Sequence, residues 1–168
     1  MSIEFPVLLT LRSPDDTAAL ARCIAPQLRR GDTILLAGEI GAGKTHFARA
    51  LIQHLQATTG HIEDVPSPTF TLVQTYDVGD NQIWHADLYR LSSGDEIEEL
   101  GLRDAFDTAI CLIEWPERLG QLRPSNAIEF EFRTSDEPDK RTLTMRTNAR
   151  RWQALLPVIA EFSNGDHA

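Results

Sequence analysis

The chain lacks the features of several protein classes. No apolar stretch in its 168 residues approaches the roughly 18 needed to cross a bilayer, which argues against a transmembrane helix. Residues 1–6 have no basic region before their short apolar run, so we expect no signal peptide. The only two cysteines, Cys23 and Cys111, lie in separate apolar segments without metal-ligand spacing, which predicts buried thiols in a reducing compartment. We therefore expect a soluble, cytoplasmic protein without a membrane partner.

The chain also lacks an excess of positive charge. It has 16 Lys and Arg against 25 Asp and Glu, a net charge of −9. A protein that binds nucleic acid through its own surface needs an excess of Lys and Arg on some face to neutralise the phosphates. The acidic total argues against such a surface, although a single basic face remains compatible with it.

What is present indicates one α/β domain spanning residues 1–168. The hydrophobic fraction of 42% and charged fraction of 24% are those of an ordinary globular protein, and the length suits one core. Short apolar runs alternate with segments of helical periodicity, which predicts a three-layer α/β sandwich. Two hairpin patterns make its central sheet mixed rather than purely parallel. The predicted strands cover 5–11, 33–37, 70–76, 82–87, 109–113 and a hairpin from about 128 to 145.

Helix signals lie between these strands. Ser13 followed by Pro14 predicts an N-cap and first helical position. A helix with one apolar face follows the strand at 33–37, and a short helix at 96–100 is expected to end at Gly101. Asn148 is a candidate cap for a last helix, which Pro157 is expected to interrupt.

Residues 38–45 match the phosphate-binding pattern G-x-x-x-x-G-K-[ST] at every position. They follow a buried strand and open an amphipathic helix, as the pattern requires, so we expect the three-layer sandwich to be P-loop NTPase-like. The glycines allow backbone N–H groups to point inward at phosphate oxygens, and the helix adds its positive dipole end. Lys44 is then expected to contact the outer phosphates and Thr45 to ligate Mg²⁺. The predicted phosphate contacts are Glu39, Ile40, Gly41, Ala42, Gly43, Lys44, Thr45 and His46.

A P-loop needs an acid at the end of a neighbouring strand to hold the metal, and two candidates exist. Glu114 follows four apolar residues, and Asp87 ends the preceding strand. The structural alternatives are a solvated strand-end acid for Glu114 and a turn or capping residue for Asp87. Thr69 is a candidate switch residue for the γ-phosphate or metal, with a plain strand-start threonine as the alternative.

Two further observations bear on the ligand. His85 stands two residues before Asp87, but no third ligand is evident, so a structural histidine is favoured over a metal site. The Asn-Lys-x-Asp loop of guanine-specific proteins is absent, which favours ATP over GTP.

Four further segments make a resemblance specific, and the chain resembles the TsaE family over about residues 10–133. In chain order, the segments are Ser-Pro-Thr-Phe at 67–70, His-Ala-Asp-Leu-Tyr-Arg-Leu at 85–91, Glu-Leu-Gly-Leu-Arg-Asp at 99–104 and Ile-Glu-Trp-Pro-Glu at 113–117. Glu39 stands where Asp is common and His46 where a second Thr is common, and neither change removes a phosphate-binding group. The hairpin and helix from about residue 127 match least, so their role stays open.

The resemblance implies an ATPase that works with the TsaD and TsaB proteins in tRNA threonylcarbamoyladenosine biosynthesis. Such a protein sustains turnover without catalysing the transfer, and tRNA is contacted mainly through the partners. Carried onto this chain, Lys44, Asp87 and Glu114 are the catalytic residues, and Thr45, Glu114 and Asp87 are the metal ligands. Trp115 is implied to couple nucleotide state to a partner, with a core position as the alternative.

Two other functions remain open from the residues. A small P-loop kinase would need an acceptor pocket and usually an Arg-rich lid, and no such lid segment is evident. A non-hydrolysing adaptor would only sense ATP. Arg90, Arg103 or a partner's residue could each serve as an arginine finger.

Overall fold

The computed structural model describes residues 4–165. Two predictions therefore extend outside the described residues. The segment 1–6, for which we expect no signal peptide, is described only from residue 4, and the predicted domain 1–168 is described except for residues 1–3 and 166–168. Seven strands form one sheet: β1 (Val7–Leu11), β2 (Thr33–Gly38), β3 (Val73–Val78), β4 (Asn81–Asp87), β5 (Ile110–Glu114), β6 (Ile128–Thr134) and β7 (Arg141–Thr147).

The sheet is mixed, as predicted. Its order is β1-β7-β6-β2-β5-β4-β3. The central strands β6, β2, β5 and β4 pair in parallel, while β7 pairs antiparallel with β1 and β6, and β3 pairs antiparallel with β4. The central β2 and β5 are apolar and buried along nearly their whole length, because helices cover both of their faces.

Within residues 4–165, five α-helices build the outer layers: α1 (Pro14–Ile24), α2 (Lys44–Ala57), α3 (Gly94–Glu99), α4 (Leu102–Thr108) and α5 (Leu155–Asn164). Apolar residues of α1, α2 and α5 pack on one face of the sheet in the larger core. Residues of α3 and α4 pack on the other face with Leu35, Cys111 and Ile113. The predicted three-layer sandwich is therefore confirmed.

The start of α1 follows the predicted cap. Ser13 is extended, and its hydroxyl accepts a hydrogen bond from the Asp16 amide at 3.3 Å. Pro14 occupies the first helical turn, where no donor is missed. The helix ends at Ile24, and Pro26 lies in a single 3₁₀ turn beyond it.

Of two predicted boundaries in the middle of the chain, one is wrong and one is confirmed. The strand expected from residue 70 begins at Val73, because residues 68–71 form a turn and Leu72 after it has φ +70°. The short helix is α3, which ends at Glu99 just before the left-handed Gly101 (φ +84°), as predicted; Gly101 also precedes a second helix, α4, that the sequence did not predict.

The predicted cap and break of the last helix are also wrong. A 3₁₀ segment, Arg150–Ala154, precedes α5, so Asn148 caps neither. Pro157 lies in the first turn of α5, where its missing N–H breaks no intrahelical bond, so the helix is not interrupted.

Of the two cysteines, Cys111 is fully buried as predicted, and Cys23 is only partly covered. Burial raises the pKa of the Cys111 thiol to about 12. No helix within residues 4–165 has the length and apolar character needed to span a membrane.

Candidate nucleotide-binding site

The loop between β2 and α2 has the backbone of a phosphate cradle. Gly41 and Gly43 have φ of +82° and +112°, in the left-handed region where glycine is unstrained. A Cβ on Gly38 would lie 2.5 Å from the Phe132 carbonyl oxygen, so only glycine fits against β6. The loop therefore depends on its glycines for conformation and for close packing.

The cradle leads directly into the N-terminus of α2. Gly43 is the N-cap residue and has no side chain, so no side chain caps this end among the described residues. The first amides of a 14-residue helix therefore face the loop, where an anion satisfies both their hydrogen bonds and the helix dipole.

Lys44 lies inside this loop with its side chain largely covered. Its Nζ donates to the Gly38 carbonyl at 2.6 Å and lies 3.6 Å from the centroid of the Trp115 ring. Burial lowers the pKa of Lys44, while Glu114 and Asp87 act in the opposite direction. The ammonium group is thus held by a carbonyl and a ring face at the mouth of the cradle.

The two strand-end acids predicted from the sequence lie side by side. Glu114 pairs in register with Leu36 of β2 and with Asp87 of β4, so both carboxylates end parallel strands next to the loop. The Thr45 hydroxyl donates to Glu114 Oε1 at 2.8 Å. Glu114 is 2% exposed and Asp87 is 6% exposed, which places two carboxylates in a weakly screened environment.

His85 extends the same group inward. Its Nε2 lies 2.6 Å from Glu114 Oε2, and the carboxylate accepts this hydrogen bond. Nδ1 of His85 is buried and has no hydrogen-bond partner among the described residues. His85 is therefore not an isolated core histidine, because it contacts a predicted metal ligand. It also belongs to no group of three or more metal-binding side chains within residues 4–165.

The predicted switch residue, Thr69, contacts Asp87, the second of the two strand-end acids. Thr69 Oγ1 donates to Asp87 Oδ2 at 3.4 Å and accepts from Ser67 Oγ at 2.7 Å. The Tyr89 amide donates to Asp87 Oδ1 at 3.0 Å. The segment carrying Thr69 is thus hydrogen-bonded to the end of β4, and Leu72, with a left-handed φ of +70°, joins it to β3.

Trp115 is neither fully buried in the core nor fully exposed to solvent. It is partly buried, with a backbone φ of +59°, and its ring centroid lies 4.7 Å from that of Tyr89. The side chain packs against the smaller core, and the face of its ring covers Lys44 Nζ. The side chain therefore forms one wall of the phosphate cradle.

These side chains enclose a cavity of about 370 Å³. Most predicted site residues line it: Ile40, Gly41, Gly43, Lys44, Thr45, His46, Thr69, Asp87, Glu114 and Trp115. Ala42 is buried outside it, and Glu39 lines a neighbouring cavity of about 510 Å³. A larger cavity of about 550 Å³, between Phe5 and Arg146, contains no residue of the loop, so size alone does not mark the site.

The donor set fits Mg²⁺ that arrives with a nucleotide. Thr45, Glu114 and Asp87 offer hydroxyl and carboxylate oxygens, the ligands Mg²⁺ prefers. Within residues 4–165 no group of three or more His, Cys, Asp or Glu side chains could hold a metal by itself. That pattern suits Mg²⁺, which is bound through one or two carboxylates, waters and substrate phosphates rather than a protein cage.

Sequence reasoning missed one residue at the loop. Arg141, at the start of β7, donates through Nη2 to the Gly41 carbonyl at 3.3 Å, across 100 residues of chain. No local pattern distinguishes it from other hairpin arginines. Of the finger candidates, Arg90 donates to the Thr69 carbonyl at 3.5 Å, and Arg103 pairs with Glu98.

Comparison with known proteins assigns the chain to a family. The model of the family described as threonylcarbamoyl adenosine biosynthesis protein TsaE matches residues 11–143. The tRNA threonylcarbamoyladenosine biosynthesis protein TsaE of Rickettsia felis is 40% identical over 142 residues, 84% of this chain and 81% of that protein. Its Bacillus subtilis counterpart is 31% identical over 153 residues, 90% and 92% of the two chains.

The fold agrees with this assignment. The crystal structure of Bacillus subtilis YdiB superposes with a TM-score of 0.69 and 25% identity, covering 96% of this chain and 97% of that one. The family match begins where the resemblance predicted and runs ten residues beyond residue 133, into β7. The chain belongs to the TsaE family of threonylcarbamoyl adenosine biosynthesis proteins.

Proposed function

We propose that this chain is the Mg²⁺-dependent ATPase of the tRNA threonylcarbamoyladenosine machinery and acts with the TsaD and TsaB proteins. One observation carries the proposal: the Thr45 hydroxyl meets the Glu114 carboxylate at 2.8 Å beside Lys44 in one cavity. A P-loop hydroxyl joined to a strand-end acid is the pair that holds the metal of Mg-ATP in P-loop NTPases.

In this proposal the loop binds the phosphates of ATP. Those backbone amides of residues 39–46 that face the cavity donate to the phosphate oxygens, and Lys44 contacts the outer phosphates. Lys44 then exchanges the Gly38 carbonyl, its present partner at 2.6 Å, for a phosphate oxygen. Both are strong acceptors, so the exchange keeps the buried ammonium group hydrogen-bonded throughout.

Thr45 and Glu114 hold the metal, with Asp87 beside them. An ion held there would supply positive charge to offset that of the phosphates during transfer of the terminal phosphoryl group to water. In this proposal Asp87 orients the attacking water and Thr69 contacts the γ-phosphate, and the link between their side chains at 3.4 Å supports a joint role. The absence of an Asn-Lys-x-Asp loop favours adenine over guanine.

Hydrolysis by the isolated chain is slow in this proposal, and the partners accelerate it. Within the described residues, no arginine lines the cavity. A P-loop site without an arginine finger turns over at roughly 10⁻⁴–10⁻² per second, and a finger adds about 10³–10⁵-fold. A partner protein is then the source of the missing charge.

The partners also carry the main tRNA contact, since this chain has a net charge of −9. We propose that residues 1–168 act as one ATPase domain in the cytoplasm, where the partners and tRNA meet it. Its role is to sustain turnover of the machinery and not to transfer the threonylcarbamoyl group.

Calorimetric titration with ATP and GTP, each with and without Mg²⁺, tests the binding half of the proposal. We expect ATP to bind more tightly than GTP and Mg²⁺ to tighten ATP binding. Equal affinity for both nucleotides would contradict the assignment of ATP, and insensitivity to Mg²⁺ would contradict the metal site.

A further inference from the structure

The hydrogen bond from His85 to Glu114 fixes the orientation of the carboxylate. His85 Nε2 donates to Oε2 at 2.6 Å, and the Thr45 hydroxyl donates to Oε1 at 2.8 Å. Each carboxylate oxygen therefore has its own donor, one from α2 and one from β4. Rotation of the Glu114 carboxylate would break both bonds at once.

The fold alone does not require a histidine at this position. His85 is 0% exposed, and its Nδ1 has no partner among the described residues. A buried polar atom without a hydrogen bond destabilises the folded state. An apolar side chain of similar volume would avoid that cost, so the bond to Glu114 is what the histidine contributes.

The register of the sheet explains why His85 reaches this acid. His85 is paired with Leu112 on β5, two residues before Glu114, and successive residues of a strand point to opposite faces. His85, Leu112 and Glu114 therefore share the face that lies under α2. The imidazole fills the space below the carboxylate and approaches it from the core.

We propose that His85 is a positioning residue that holds Glu114 in the orientation needed to bind the metal of Mg-ATP. This inference rests on the proposed function, because it concerns the same metal. It assigns no metal contact to His85 itself. Its effect is to keep Oε1 directed at Thr45 and the cradle while Oε2 stays occupied.

Hydrogen-bond partners of metal ligands typically change metal affinity by about 10–100-fold when they are replaced. We expect loss of the His85 donor to raise the Mg²⁺ concentration for half-maximal tightening of ATP binding by that factor. Binding of metal-free ATP should change less than about threefold, because the backbone amides and Lys44 are untouched. A purely structural histidine would weaken both kinds of binding together.

The test compares His85→Gln with His85→Asn. The terminal nitrogen of Gln reaches about as far as Nε2 of His, and that of Asn only as far as Nδ1. Both variants bury an amide, so their cost to folding is similar, and only Gln can donate to Glu114. His85→Leu gives a second donor-free variant with an apolar side chain, and Leu112→Val controls for altered packing on the same face.

Calorimetry of ATP binding in EDTA and over a Mg²⁺ series gives the readout, with thermal unfolding of the nucleotide-free variants alongside. The proposal predicts a raised Mg²⁺ requirement in the Asn and Leu variants, near-parental behaviour in Gln, and no change in Leu112→Val. Equal Mg²⁺ requirements in the Gln and Asn variants would overturn it. Failure of the unaltered chain to bind ATP would instead refute the proposed function.

Discussion

Replacing Glu114 by Gln removes one charge from the site and leaves its shape in place. The Gln carbonyl oxygen can accept from His85 Nε2, as Oε2 does now at 2.6 Å. Its amide can donate to the Thr45 hydroxyl, which rotates to accept in place of its present bond of 2.8 Å. His85 Nε2 keeps an acceptor and Thr45 keeps a hydrogen bond to residue 114, so the substitution removes the charge while it largely preserves the geometry.

These contacts determine how much stability and how much hydrolysis rate the Glu114→Gln substitution should lose. A hydrogen bond to a charged group contributes about 1.5–3 kcal/mol and a neutral one about 0.5–1.5, so two weakened bonds lower stability by up to ~3 kcal/mol. Removing a buried charge offsets part of that loss, and we expect a net change below about 2 kcal/mol. Hydrolysis should fall by about 10²–10³-fold, the usual loss when one electrostatic contact of a transition state is removed.

The assay measures ADP formation in the partner-stimulated complex together with Mg-ATP affinity and urea unfolding. Glu117→Gln is the matched control, because Glu117 is an exposed acid that also influences Lys44 but does not contact Thr45. We expect Glu114→Gln to reduce the rate far more than the affinity, and Glu117→Gln to change neither by more than about threefold. An unchanged rate in Glu114→Gln would move the metal role to Asp87.

Three further substitutions test the cradle. Lys44→Ala should abolish or greatly weaken ATP binding with little change in the melting temperature of the nucleotide-free protein, and unchanged Mg-ATP affinity by calorimetry would contradict it. Trp115→Ala should change ATP affinity by less than about 30-fold, since a cation–π contact contributes about 0.5–2 kcal/mol, yet reduce stimulated turnover and tRNA modification. Trp115→Phe keeps a ring as its control, and loss of folding in Trp115→Ala would point to a core role. Gly38→Ala should destabilise by about 1–3 kcal/mol in urea unfolding, because its Cβ would meet the Phe132 carbonyl at 2.5 Å, whereas Gly79→Ala has open space and only the strain of positive φ.

Local sequence patterns predicted the parts of the molecule that depend on near neighbours. The P-loop match located the cradle, because the glycines set its backbone conformation locally and the Lys44 side chain returns to the Gly38 carbonyl of the same loop. Apolar runs ending in a carboxylate located Glu114 and Asp87, since the carboxyl ends of parallel strands meet at one edge. Alternation and capping signals were enough for the layers and the mixed sheet.

Contacts between distant residues were not predictable in the same way. The bond from His85 to Glu114 joins residues 29 apart, and the bond from Arg141 to the P-loop joins residues 100 apart. Both depend on strand order and register, which no single segment encodes. The helix α4 was missed for a local reason, because Gly101 in the left-handed conformation both follows one helix and precedes the next.

The central claim is that this chain hydrolyses ATP slowly alone and faster with its partners. ADP release should be measured for the purified chain, then with the TsaB and TsaD proteins, then with tRNA added, using Lys44→Ala as background. We predict roughly 10⁻⁴–10⁻² turnovers per second for the chain alone and a large increase in the complex, with free phosphate formed in equal amount to ADP. ADP formed without free phosphate would indicate a kinase. Bound ATP with no ADP at any stage would indicate a non-hydrolysing adaptor. Either result would contradict the account.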